Sequence, residues 1–163
     1  MILMEKIILG AGCFWGVQFY FDQIPGVVNT RVGYSGGHVK NPTYEEVCSH
    51  NTGHAEVVEV EYDGNKVSNE TILKQFFRMH DPTQLNRQGP DIGDNYRSVI
   101  FYTTDNQKSI ADKVALECQK KLKNPIVTQI ERASDFYEAE EYHQKYSERT
   151  GRGMCHIPYG PVA

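Results

Sequence analysis

The stretch Gly12-Cys13-Phe14-Trp15-Gly16 sets a thiol between glycines and beside two large rings, one of them the only tryptophan in the chain. If a strand ends before it and a helix begins after it, the sulfur lies at a helix N-terminus. Unpaired N–H groups and the helix dipole favour a thiolate there. The same residues also fit a core turn in which cysteine acts as a small hydrophobe. Further along, in HAEVVEVEY (54–62), Glu56 shares parity with Val58, Val60 and Tyr62, whereas Glu59 and Glu61 fall on the other face. A carboxyl group turned toward a core is costly when charged, so burial would keep it protonated and make it a proton donor near neutral pH. If strand pairing begins one residue later, Glu56 is exposed instead.

Two loops add polar groups: NPTY (41–44) carries Tyr44, and DIGDNY (91–96) carries Asp91 and Tyr96. Each is a possible hydrogen-bonding group or simply a turn anchor or packed ring. Cys48, His50 and His54 are close together, but their spacing fits no structural zinc pattern and no second ligand pair follows, so no metal site is expected. Cys118 falls on an apolar stripe with Ile110, Val114 and Leu122, as a core residue would. Cys155 sits in the glycine-rich TGRGMCHIPYG (150–160), where a thiol can travel to another sulfur or be incidental. A candidate thiolate, a candidate buried acid, adjacent rings and a second thiol suit redox chemistry in which one cysteine takes an oxygen atom and another resolves it.

The elements that must position these groups follow from periodicity and turn residues. A strand is expected at about 5–10 and a helix at about 14–23, ended by Pro25-Gly26. A second strand covers 27–35, a loop 38–54, and a third strand 54–62. SNETILKQFFRMH (68–80) reads as a helix capped by Ser68, with Ile72, Leu73, Phe76 and Phe77 on one face. A polar loop over 83–96, a strand at 97–104, a helix at 106–122 capped by Asp105, a strand at 125–131 and a helix at 135–146 complete the series. Consecutive strands without intervening helices point to an α+β fold: a mixed β-sheet flanked by helices in two or three layers. The 163 residues read as one catalytic domain with a mobile C-terminal tail from about 148 to 163.

Bulk properties narrow the classes. A net charge of −4 without Lys/Arg runs gives no electrostatic reason to bind nucleic acid. The N-terminal apolar run is too short and interrupted for a signal peptide or a membrane span. Four scattered cysteines without a CxxC pair fit a cytoplasmic protein whose thiols stay reduced outside catalysis.

Six ordered blocks, GCFWG (12–16), GYSGG (33–37), NPTYEEVC (41–48), TGHAEVV (52–58), HDPTQLNRQGPDIGDNYRS (80–98) and FYEAEEYHQKY (136–146), resemble the peptide methionine sulfoxide reductase A family over nearly the whole chain. The resemblance implies Cys13 as the nucleophile on the sulfoxide sulfur. It implies Phe14 and Trp15 as the pocket for the methyl group, Glu56 as the acid, Tyr44 and Tyr96 as hydrogen-bond donors to the oxygen, and Asp91 completing the polar side. It further implies Cys155 as the resolving cysteine, forming a disulfide with Cys13, and thioredoxin or another dithiol as reductant, with no cofactor. The expected substrate is methionine S-sulfoxide, free or in oxidised proteins. TGRGMC (150–155) departs from the family's common NPDGYC-like segment, and Pro90 and Asp94 from its commoner loop residues. A thiol peroxidase and a non-catalytic peptide-binding module are the rival readings of the same residues.

Overall fold

The structure is a computed structural model and describes residues 3–152. Its centre is a six-stranded mixed sheet in the order β7-β6-β1-β3-β2-β8. The strands are β1 (Met4–Ala11), β2 (Val27–Ser35), β3 (Ala55–Asp63), β6 (Ser98–Tyr102), β7 (Gln129–Arg132) and β8 (Phe136–Glu138). All pairings are antiparallel except β6 with β7. Helices α1 (Phe14–Asp22), α3 (Asn69–Met79) and α4 (Asp105–Gln119) contribute Phe14, Phe21, Ile72, Leu73, Phe76 and Val114 to the main core, against Leu9, Val32, Val58, Val60 and Ile100 of the sheet. This is the α+β arrangement expected from the interleaving of strands and helices.

The third strand shows how sequence pattern becomes packing. Val58, Val60 and Tyr62 are fully buried, while Glu59 and Glu61 form ion pairs on the other face with Lys6, and Glu59 also with Arg31. At its N-terminal end both faces are covered, because Ala55 and Val57 join Ile8, Val99 and Phe101 in a second, smaller apolar cluster. α3 is built as its periodicity requires, with Ser68 accepting a hydrogen bond from the amide of Thr71. α4 is capped one residue earlier than expected: Thr104, not Asp105, accepts from the amide of Gln107.

Four segments differ from the sequence expectation, the first being the strand expected at 125–131, of which only Gln129–Arg132 (β7) forms. The 38–54 loop contains a short helix, α2 (Tyr44–Cys48), started by a capping box between Thr43 and Glu46. The 83–96 loop forms a two-residue hairpin, β4 (Arg87–Gln88) with β5 (Asp91–Ile92), then a 3-10 turn at Asp94–Tyr96. Over 135–146 no continuous helix forms. The chain makes β8, a 3-10 turn at Glu141–His143, and only then α5 (Tyr146–Thr150).

This last segment is tied back onto the sheet. Gln144 brackets the main chain of Val32, accepting from its N–H and donating to its C=O at 3.0 Å each. The Lys145 ammonium donates to both carboxylate oxygens of Asp22 and to Thr30 Oγ1, at 2.8–2.9 Å.

The approach to β3 is equally tight. A Cβ on Gly37 would run into the carbonyl of Thr52 and the amide of His54, both main-chain atoms that cannot swing aside. Gly37→Ala is therefore expected to destabilise the protein by about 2–3 kcal/mol, a fall in Tm of roughly 5–10 °C. Thermal unfolding followed by circular dichroism checks this.

Candidate active site

The chain leaves β1 through Gly12, whose φ of 96° favours glycine. Cys13 follows as the N-cap of α1 in non-helical conformation and makes no side-chain cap bond. The half-buried thiol thus lies at the positive end of a nine-residue helix. The first amide of that helix is not left to water, since Phe14 N–H donates to Glu56 Oε1 at 3.4 Å. One peptide therefore joins the candidate nucleophile to the candidate acid.

Glu56 is 1% exposed, which excludes the alternative in which it faces solvent. Its second oxygen, Oε2, accepts from Asn95 Nδ2 at 3.2 Å. These two donors favour the carboxylate, and burial outweighs them. The carboxyl group is pushed up to about 8, with the nearby charge of Asp91 adding to the rise. Glu56 accordingly holds its proton at neutral pH and releases it as pH passes about 8.

Two phenols share this environment. Burial raises both Tyr44 and Tyr96 above the usual tyrosine value, and the charge of Glu56 is the next cause for each. Both stay protonated donors. Tyr96 also feels Cys48, Cys13 and Asp91, and Tyr44 shares a hydrogen bond with the Cys48 thiol, so these side chains form one electrostatic neighbourhood. Asp91, on β5, keeps one buried oxygen, Oδ2, without a hydrogen-bond partner. Cys48 itself is a thiol pushed upward by burial, with Glu56 contributing.

The opposite side is aromatic. Phe14 is fully buried, with ring centroids of Tyr34, Tyr44 and His143 at 5.7, 6.5 and 5.2 Å. Trp15, half-buried, stacks on Tyr146 at 3.9 Å and 20°. Its indole N–H donates to His143 Nδ1 at 2.9 Å. Glu140 anchors this side, accepting from the Tyr34 hydroxyl at 2.8 Å and from the Tyr44 amide at 2.9 Å.

The structure thus brings together Cys13, Phe14, Trp15, Tyr44, Glu56, Asp91 and Tyr96, drawn from four separate stretches of chain. Cys155 lies outside the described residues. Cys118 packs against the main core, as its stripe suggested. His54 is held by the Gly37 amide and the Val39 carbonyl, and His50 lies beside Asp94. Among the described residues, no three His, Cys, Asp or Glu side chains are gathered to hold a metal ion. Likewise, no helix is long and apolar enough to cross a membrane.

Sequence reasoning missed Asn95 and His143. Asn95 is indistinguishable by type from an ordinary turn residue. His143 was hidden by the expected helix, although its neighbours in EYHQKY are aromatic.

Comparison with known proteins identifies relatives over nearly the whole chain. The profile of the family described as peptide methionine sulfoxide reductase matches residues 5–163. A protein of Methanothermobacter thermautotrophicus named peptide methionine sulfoxide reductase MsrA is 55% identical over 155 residues, covering 94% of this chain and 92% of its own. The crystal structure of reduced Mxr1 from Saccharomyces cerevisiae superimposes with a TM-score of 0.88 at 37% identity, over 92% of this chain and 87% of Mxr1. Mxr1 in complex with Trx2 gives a TM-score of 0.64 at 30% identity, over 88% and 84% of the two chains.

Proposed function

The chain belongs to the peptide methionine sulfoxide reductase family, and from that membership we propose a thiol-based reduction of methionine S-sulfoxide, free or in proteins, at Cys13. The observation that carries the proposal is the Phe14 amide bonded to a protonated, buried Glu56, which ties the proton donor to the peptide that follows the sulfur-bearing residue.

In this reading the Cys13 thiolate attacks the sulfoxide sulfur while Glu56 transfers its proton to the sulfoxide oxygen. Oxygen is a poor leaving group until protonated, so the acid must be neutral when substrate arrives. Tyr44 and Tyr96 donate hydrogen bonds to that oxygen, and Asp91 completes the polar side, through water. Phe14 and Trp15 form the apolar wall for the methyl group. Sulfoxide epimers exchange methyl and oxygen positions, so a pocket with rings on one side and donors on the other selects one epimer.

The sulfoxide's sulfur–oxygen bond breaks, its protonated oxygen ends on Cys13 as a sulfenic acid and methionine departs: the cysteine sulfur loses two electrons and the sulfoxide sulfur gains them. The Cys155 thiol then attacks Cys13, forming a disulfide and releasing water. A dithiol reopens it. Thioredoxin is the proposed reductant, supported by the yeast relative's structure with Trx2. No cofactor enters this scheme, and the setting is repair of oxidised methionine in the cytoplasm.

One equivalent of methionine S-sulfoxide added to the reduced protein, without reductant, tests nucleophile and resolver together. Mass spectrometry is expected to find methionine and a Cys13–Cys155 disulfide, and no conversion of the R epimer. Equal use of both epimers, or oxidation mapped to another pair of cysteines, overturns the assignment.

A further inference from the structure

Trp15 is held in two ways that restrain different motions. Stacking on Tyr146 resists tilting of the indole but leaves it able to turn and slide within its plane. The bond from Nε1 to His143 Nδ1, 2.9 Å long, fixes that remaining freedom. An indole N–H can only donate, so Nδ1 must accept and carries no proton. The single proton of the neutral imidazole therefore lies on Nε2, which is buried and has no hydrogen-bond partner.

His143 is 1% exposed and is the hub of the aromatic side. Tyr142, Tyr44, Phe14 and Trp15 lie around it with centroids at 4.1, 4.4, 5.2 and 5.6 Å. α1 presents Phe14 and Trp15 to it, and α2 presents Tyr44. The charged groups that act on it are Glu140, just before its turn, and Glu45 on α2. Both favour a second proton, but burial is the larger effect and keeps the ring below the usual histidine value. A second proton would turn Nδ1 into a donor facing the indole donor, and would set a cation among rings with no acceptor at Nε2.

We propose that His143 is a positioning residue for Trp15: its neutral Nε2–H tautomer fixes the indole that grips the substrate's methyl group, and protonation of the ring releases it. The inference rests on the assignment of Trp15 to substrate binding. It adds the group that keeps the indole in place and the condition under which that group fails.

Trp15 is the only tryptophan, so its fluorescence reads this contact without substrate. In the reduced full-length protein the emission is expected to titrate with a midpoint below ~6.5. In His143→Asn, whose Oδ1 can take the place of Nδ1 and whose amide does not titrate, that transition should vanish. KM for the S-sulfoxide of N-acetylmethionine amide should rise about fivefold or more from pH 7.5 to 5 in the wild type, and less than about twofold in His143→Asn. His143→Leu, which cannot accept, should show the raised KM at both pH values, with single-turnover reduction at saturating substrate within about threefold of wild type. An unchanged fluorescence titration in His143→Asn, or a wild-type KM in His143→Leu, overturns the proposal. A wild-type protein without sulfoxide reduction would instead remove the proposed function, and the fluorescence comparison would still decide the contact.

Discussion

Glu56→Gln should slow sulfoxide reduction by about 10²–10⁴-fold, the range for loss of a positioned general acid, while leaving Cys13 open to alkylation. The substitution preserves shape. It also has a ready set of partners: the new carbonyl can accept from Phe14 N–H, and Asn95, whose Oδ1 is buried without a partner, can turn its amide to accept from the new NH₂. The fold is therefore kept and a proton is lost.

The pH dependence has a fixed sign. In the wild type the reduction step should fall as pH rises through about 8, where Glu56 loses its proton. That limb should be absent from the variant's residual rate.

Stability also declines with rising pH, over a lower window. Between the ordinary carboxyl value of 4.5 and about 8, the native state holds a proton that the unfolded chain has released. Wild-type stability attributable to this group therefore declines with rising pH across that window, and the glutamine variant lacks the decline. The difference in Tm between variant and wild type should grow in the variant's favour from pH 5 to pH 8. A variant of wild-type rate would mean that the proton comes from elsewhere.

Cys13→Ser should abolish reduction, by at least about 10⁴-fold, because a hydroxyl at this helix start supplies neither the thiolate nor a sulfur able to take the oxygen. The protein itself should not suffer. Cys13 occupies the N-cap without making a cap bond, and serine is among the residues that make one well. A gain of about 0.5–1 kcal/mol in unfolding free energy is expected alongside the loss of activity. Stoichiometric methionine production by this variant would transfer the nucleophile's role to another sulfur, with Cys48 the first to examine.

Much of the site was legible because its key positions sit on strongly patterned elements. The parity of β3 pointed Glu56 inward, and Gly12 with the α1 pattern put Cys13 at a helix start. The structure refines the reason for Glu56. Val57 is buried as well, so at that end of the strand alternation alone does not separate inside from outside.

What the sequence hid was governed by distant partners. FYEAEEYHQKY is rich in helix formers, yet Gly33 pairs with Glu138, Gln144 clasps Val32 and His143 meets Trp15. Contacts spanning more than a hundred residues outweigh a local preference of a few tenths of a kcal/mol per residue. α2, in contrast, carried a readable start signal, Thr43 with Glu46, that loop-like neighbours obscured. Asn95 had no signal at all, because its meaning lies entirely in the carboxyl group it faces.

The clasp at Gln144 and Lys145 also divides the site by local stability. Cys13, Glu56 and Asn95 are carried by β1, α1, β3 and the 3-10 turn at Asp94–Tyr96, inside the body of the fold. His143 and Tyr146 ride on a segment that a handful of side-chain bonds hold to Val32, Asp22 and Thr30. Partial opening of that segment leaves the main sheet and its helices in place and so costs less than global unfolding. A molecule caught in that state keeps its acid and its sulfur but has lost the partners of its indole. On the proposed assignment of Trp15, its hold on the substrate's methyl group is thus the first property such a molecule gives up, and thiol reactivity the last.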